Sequence, residues 1–215
     1  MYKHIIWDWN GTLLDDVDVA VDAMNLLLEN HKLPRLDIKK HKDIFAFPVR
    51  DYYGKLGLDF KKEPFEELST EFVSHLTSGK YHYRLHRGTE EVLKSIKDMG
   101  ISQSILSASE ERALQEAVGT MHISEFFTRI AGISNHYAAS KIERGRELLT
   151  DLGLDPNTVL LIGDTTHDYE VARELGCDCL LISNGHQSYE RLKGCHANIV
   201  NTISEIKGLI YQPFL

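Results

Sequence analysis

Four short apolar runs, His4–Trp7, Ser104–Leu106, Val159–Ile162 and Leu180–Ile182, are separated by amphipathic stretches, and this alternation restricts the fold more than any other feature of the chain. Continuous apolar runs suit strands buried on both faces, and the amphipathic stretches between them supply the helices that cover those faces. The expected class is α/β with a parallel sheet. Weaker runs at Phe127–Ile133 and Ala197–Val200 are candidates to extend it. Ser140 and Glu143 predict a capping box for a helix reaching Leu152 and closed by Gly153, and Thr89 and Gly100 bracket another helix around Val92, Leu93 and Ile96.

Between Asp15 and His86 the alternation stops and helical periodicity replaces it. Val17, Ala20, Val21, Met24, Leu27 and Leu28 fall on one face behind a cap at Asp15 or Asp16, and Phe65, Leu68, Phe72 and Leu76 form a second stripe after Pro64. The least regular stretch, 45–57, reads as a bend between helices. The expected division is a catalytic core of residues 1–14 and 87–215 and an all-helical cap of residues 15–86, placed as a lid over the carboxyl end of the first strand.

The 215 residues carry a formal net charge of −8 and no Lys/Arg-rich block, which argues against docking on nucleic acid or on an anionic membrane surface. No apolar run approaches the ~20 residues that a membrane span needs. Cys177, Cys179 and Cys195 are an odd set without metal-ligand spacing and follow no secretory signal. They are expected to be reduced thiols of a cytoplasmic protein, with Cys177 and Cys179 packing at a strand.

Four polar pieces line up with this framework. Asp8-Trp9-Asn10-Gly11-Thr12 follows the first run, Ser107 the second, Lys141 starts the capped helix, and Gly163-Asp164-Thr165-Thr166-His167-Asp168 follows the third run. Open α/β sheets place their chemistry in the crevice at the carboxyl ends of the strands, so these pieces are expected to converge there. Each has a structural alternative: a strand-end turn for Asp8, backbone satisfaction for Ser107, a solvated helix residue for Lys141, and an N-cap with neighbouring acids for Asp164 and Asp168. Asn10 stands where a second acid would complete a pair of nucleophile and proton donor. Its amide hydrogen-bonds but does not titrate.

In order, spacing and context the four pieces resemble the motifs of the haloacid dehalogenase-like superfamily from Lys3 to about Asn184, and within it the phosphoglycolate phosphatase-like branch with an inserted helical cap. The resemblance implies a three-layer Rossmann-like core and Mg²⁺-dependent hydrolysis of small phosphorylated metabolites through an aspartyl-phosphate. It implies Asp8 as nucleophile, and Asp8, Asp164 and the main-chain carbonyl of Asn10 as metal ligands, with Asp168 acting directly or through water. Ser107, the backbone N–H of Ala108 and Lys141 would hold the phosphoryl group. Because Asn10 cannot pass a proton to the leaving group or activate water, alkyl phosphates should suffer most and a phosphoenzyme should accumulate.

Arg50, beside the aromatics Phe45, Phe47, Tyr52 and Tyr53, is a candidate substrate contact, with His41, Lys42 and Lys55 weaker ones; His82 and His86 read as polar positions near the hinge. Two alternatives stay open. One is a phosphonatase-type C–P hydrolase with Lys39, Lys40, Lys42 or Lys55 as a Schiff-base lysine; the other is a non-catalytic phospholigand-binding protein. The expected partner is a small phosphorylated metabolite, with no nucleic acid and no membrane.

Overall fold

The computed structural model describes residues 1–133, 140–195 and 197–210. All six apolar runs, the two weaker ones included, contribute strands: β1 (His4–Trp7), β2 (Ser102–Glu110), β3 (Arg129–Ile133), β4 (Val159–Gly163), β5 (Asp178–Ile182) and β6 (Asn198–Val200). Among the described residues they form one parallel sheet in the order β3-β2-β1-β4-β5-β6. The helices are α1 (Val17–Asn30), α2 (Ile38–Ile44), α3 (Val49–Lys55), α4 (Phe65–Leu76), α5 (Thr89–Asp98), α6 (Glu111–Thr120), α7 (Lys141–Asp151), α8 (Thr166–Leu175) and α9 (Tyr189–Leu192).

The period-two alternation of strand side chains divides the core into two layers. Ile5, Trp7, Ile105, Leu160, Ile162 and Leu180 pack with Val92, Leu93 and Ile96 of α5 and with Leu114 and Val118 of α6. On the other face Ile6, Leu106, Val159, Leu161 and Leu181 meet Leu148 and Leu149 of α7 and Val171, Ala172 and Leu175 of α8. Fully burying each side chain of this kind contributes roughly 1.5–3 kcal/mol, which fixes the carboxyl edge of the sheet as a rigid platform. Cys179 packs in the second layer with Cys177 at its margin, and all three cysteines are free.

The chain between β1 and α5 is helical and carries a core of its own, in which Met24, Leu27 and Leu28 meet Tyr52, Tyr53, Leu56 and Leu68. Two backbone hydrogen bonds close its neck, Asp15 N–H to Arg84 O at 2.8 Å and His86 N–H to Leu13 O at 2.9 Å. The stretch 45–57 is not a simple bend, because Val49–Lys55 forms α3 and buries Tyr52 and Tyr53. Asp16 is the N-cap of α1 but makes no side-chain cap bond; its carboxylate points elsewhere, as described below. The cap of α5 is Gly88 at φ 89°, and Thr89 is its first helical residue. The capping box of Ser140 and Glu143 forms as its residues predict and sets Lys141 at the first turn of α7.

Candidate active site

The strand order reverses at β1 and β4, the point where doubly wound sheets open a crevice. Asp8 and Asp164 are the first residues beyond these two strands, and the Asp8 N–H bonds Ile162 O at 2.8 Å, so sheet register alone brings the carboxylates together. Lys141 Nζ reaches in from α7 and lies 2.5 Å from Asp8 Oδ1 and 2.6 Å from Asp168 Oδ1. The Asp168 side chain has two tasks. Its Oδ2 accepts from the N–H and hydroxyl of Thr165, completing a capping box, while its Oδ1 faces Lys141. Thr165 is the N-cap of α8, and Asp168, as its capping-box partner, combines that structural task with its place in the site.

Thr12 is completely buried and its hydroxyl lies 3.2 Å from Asp8 Oδ2 and 3.1 Å from Asp164 Oδ1, linking the two acids. Gly11 holds φ 73°, and a Cβ there would overlap the Asp164 carboxylate and the His186 ring. No side chain larger than hydrogen fits that turn. His86, far from being a mere polar hinge position, is buried; its Nε2 donates to Gly11 O at 3.1 Å and its Nδ1 accepts from Asn184 at 3.2 Å.

Charge is concentrated here out of contact with water. Burial pushes Asp8 up to about 6, with Lys141 opposing the shift and Asp168 adding to it. Burial likewise raises Asp164 to about 8, where His186 works against the rise and Asp8 and Asp168 reinforce it. Burial opposes the charges of Asp168 and Lys141 too, but their mutual attraction prevails and holds Asp168 below and Lys141 above their ordinary ranges. Asp8, Asp164 and Asp168 each present an oxygen within 4.8 Å of the others. Three buried carboxylates, two of them paired with Lys141, form a hard, electron-rich donor set that fits Mg²⁺.

Asn10 sits at the mouth of this cluster with its amide held at both ends. Nδ2 donates to Asp16 Oδ2 at 2.7 Å, and Oδ1 accepts from the Ser109 hydroxyl at 2.9 Å. The other Asp16 oxygen accepts from Gly11 N–H at 2.8 Å and lies 3.3 Å from His186 Nε2. His186 Nδ1 then contacts His41 Nε2 at 3.0 Å, and His41 Nδ1 contacts the Tyr52 hydroxyl at 2.8 Å. Burial disfavours charge on His186, but Asp16 and the other acids outweigh it and hold the imidazole at about 9; burial and the neighbouring His186 lower His41 to about 3. A charged His186 donating from both nitrogens to Asp16 and to a neutral His41 satisfies every atom of this chain. Asp16, His86 and His186 were not legible as site residues, since nothing local marks them; the appearance of Asp16 directly after Leu13-Leu14-Asp15 was their one signal.

The remaining candidates separate. Ser107 is buried at the carboxyl part of β2, where its hydroxyl accepts from Ser109 N–H at 3.1 Å, and Ala108 follows it. Arg50 stacks its guanidinium over Phe60 at 4.7 Å and Phe65 at 5.7 Å, inside the helical insertion. Among Lys39, Lys40, Lys42 and Lys55, Lys42 reaches the core, donating to Asn184 O at 3.0 Å, and burial lowers its ammonium despite the attraction of Asp164. The segment around it docks on the core: Ser188 N–H donates to Lys42 O, Gln187 Nε2 and Arg191 both donate to Phe45 O, and the Phe47 ring stacks on His167 at 4.8 Å.

The sequence pattern of the haloacid dehalogenase-like hydrolases matches residues 5–182. The chain belongs to that family. Among similar proteins, an N-acetylmuramic acid 6-phosphate phosphatase of Pseudomonas aeruginosa is 25% identical over 188 residues, 86% of this chain and 83% of the relative. A phosphoglycolate phosphatase of Aliivibrio fischeri is 21% identical over 97% of this chain and 95% of its own length. A haloacid dehalogenase-like family hydrolase from Streptococcus pneumoniae superposes with a TM-score of 0.85 at 22% identity, covering 98% of this chain and 99% of that one. This haloacid dehalogenase-like hydrolase thus shares the Rossmann-like α/β core of its relatives, and among its described residues no helix is long and apolar enough to cross a membrane.

Proposed function

We propose that the protein is a Mg²⁺-dependent phosphatase of small phosphorylated metabolites, of the phosphoglycolate or sugar-phosphate type, acting through Asp8. The observation that carries this reading is the buried cluster in which Lys141 bridges Asp8 and Asp168 while Asp164 stands beside them. Asp8, Asp164, the carbonyl of Asn10 and, directly or through water, Asp168 would hold the ion. When bound, Mg²⁺ supplies charge neutralisation between the nucleophile and the phosphoryl oxygens.

The residues supply the rest. Asp8 attacks phosphorus in line, the bond to the ester oxygen breaks, and an aspartyl-phosphate forms on Asp8 as the alkoxide or aryloxide leaves and takes its proton from water. Water then attacks phosphorus, releasing inorganic phosphate and restoring the Asp8 carboxylate. Lys141 keeps Asp8 oriented and offsets the charge that gathers on the phosphoryl oxygens, with the Ser107 hydroxyl and the Ala108 N–H completing the phosphate cradle. Asn10 moves no proton, so departure relies on the acidity of the leaving group.

A panel of esters with leaving groups of graded acidity, assayed with Mg²⁺, tests the proposal. Turnover should climb steeply with leaving-group acidity and vanish in Asp8→Asn; activity that survives Asp8→Asn would overturn it. Because Asn10-Gly11 is prone to deamidation, peptide mass spectrometry must accompany the assay. One observation supports a second reading, phosphonatase chemistry, since Lys42 extends from α2 to the core loop at Asn184. Borohydride trapping with a phosphonoaldehyde decides it: an adduct on Lys42 supports it, and its absence rejects it.

A further inference from the structure

His186 stands where the helical insertion, the nucleophile turn and Asp164 meet. Its backbone N–H donates to Asp164 Oδ2 at 2.5 Å, while the Thr12 hydroxyl lies 3.1 Å from Oδ1, so the Asp164 carboxylate is held at both oxygens. Its Nε2 lies 3.3 Å from the Asp16 oxygen that also accepts from Gly11 N–H, and the second Asp16 oxygen accepts from the Asn10 amide. Glycines permit this close approach. A Cβ at Gly11 would overlap Asp164 and the His186 ring, and a Cβ at Gly185 would overlap Asp164. One residue therefore steadies both a carboxylate and the turn that carries the Asn10 carbonyl.

The other side of His186 belongs to the insertion. Its Nδ1 contacts His41 Nε2 at 3.0 Å, and His41 Nδ1 contacts the Tyr52 hydroxyl at 2.8 Å, so α2 and α3 supply the far end of the chain. The Phe45 ring lies tilted against the His186 ring at 5.0 Å, and Gln187 Nε2 ties the same loop to Phe45 O. His186, His41 and Tyr52 are all buried. A buried imidazole nitrogen deprived of its partner carries a desolvation penalty, so lifting α2 would strand His186 Nδ1 and loosen the ring that steadies Asp16. Outer partners that orient metal ligands govern affinity as well as geometry.

We infer that His186 is a positioning residue that makes the carboxylate cluster's hold on its ion depend on the docked insertion. With Mg²⁺ held as proposed above, Asp164 and the Asn10 turn keep their orienting bonds through His186 while His41 secures its ring. Linkage then runs both ways: whatever His41 contributes to ion affinity, the bound ion returns to the docking of α2 on the core.

The test uses the full chain, stripped with chelator, as parent, His41→Phe and His41→Gln, with circular dichroism establishing that each is folded without the ion. Calorimetric titration with Mg²⁺ should show affinity reduced by about 10-fold in His41→Phe. His41→Gln, whose amide returns a polar partner to His186, should recover most of it. In the parent, Mg²⁺ should slow hydrogen exchange in α2 by a comparable factor, and His41→Phe should remove that dependence. Unchanged affinity in folded His41→Phe, equal loss in both variants, or α2 exchange indifferent to Mg²⁺ in the parent overturns the inference. Absence of any Mg²⁺ binding in the parent rejects the ion reading of the Asp8 cluster, and this coupling with it.

Discussion

At the scale of the residue, Asn10 is matched to its neighbour. Its amide donates to Asp16 Oδ2 at 2.7 Å, so an acid at position 10 would set two carboxylates face to face and one would have to take up a proton. Asn10→Asp alone should therefore recover only part of the general acid–base contribution, which is typically about 10²–10⁴-fold for such a group. Asn10→Asp/Asp16→Asn restores the complementary pair with its members exchanged and should recover more, measured as kcat on an alkyl phosphate. Equal rates in the single and double variants would contradict this pairing. Lys141 allows a stability prediction. It is the cation between Asp8 and Asp168, so Lys141→Met should destabilise the metal-free protein by about 3–5 kcal/mol in denaturant unfolding. Saturating Mg²⁺, held as proposed at the same carboxylates, should restore part of that loss.

At the scale of the element, local signals were legible and distant ones were not. The strands read from continuous apolar runs, and the boxes at Ser140/Glu143 and Thr165/Asp168 form because their partners lie three residues apart. Asp8, Lys141, Asp164 and Asp168 were legible as a site because each stands at an element's end. The chain from Asp16 through His186 to His41 was not, since it joins residues separated by 170 and 145 positions, brought together where the start of α1 and α2 both meet the loop before α9. α3 escaped notice because its seven residues, with Tyr52 and Tyr53 side by side, are too few to show a full helical stripe. Gln187 connects these elements: Oε1 accepts from Thr166 N–H at the start of α8 while Nε2 donates to Phe45 O at 3.0 Å. Gln187→Ala leaves Thr166 N–H without its partner and removes one of the two donors to Phe45 O, and should cost about 1–3 kcal/mol. Hydrogen exchange should then quicken in residues 38–55 more than in the sheet; uniform quickening would mean that the contact does not hold the insertion to the core.

At the scale of the whole molecule, buried histidines set the acid limit. Burial lowers His4 to about 4, and burial together with His186 lowers His41 to about 3, whereas both bind protons near 6.5 when unfolded. Below pH 6.5 the unfolded chain takes up protons that the native state refuses. Each histidine should remove up to about 1.4 kcal/mol of stability per pH unit as pH drops from about 6.5 toward 4, while proton uptake by native Asp8 and Asp164 works in the opposite direction. His41→Gln should flatten this acid limb in thermal unfolding, and a limb of unchanged slope would contradict the assignment. The sheet and the helical insertion also build their hydrophobic cores from different parts of the chain. The sheet edge carries Asp8, Lys141, Asp164 and Asp168, while Lys42, Phe45 and Phe47 of the insertion lie against the loops that surround them.

On the proposed mechanism Asp8 takes the phosphoryl group from substrate and Asn10 slows its release. Incubation with an aryl or acyl phosphate and Mg²⁺, acid quench and peptide mass spectrometry test it most directly. One added phosphoryl group is expected on the peptide carrying Asp8, present at substantial occupancy during turnover and absent from Asp8→Asn. Turnover with the phosphoryl group on another residue, or on none while Asp8→Asn still hydrolyses the ester, would contradict it.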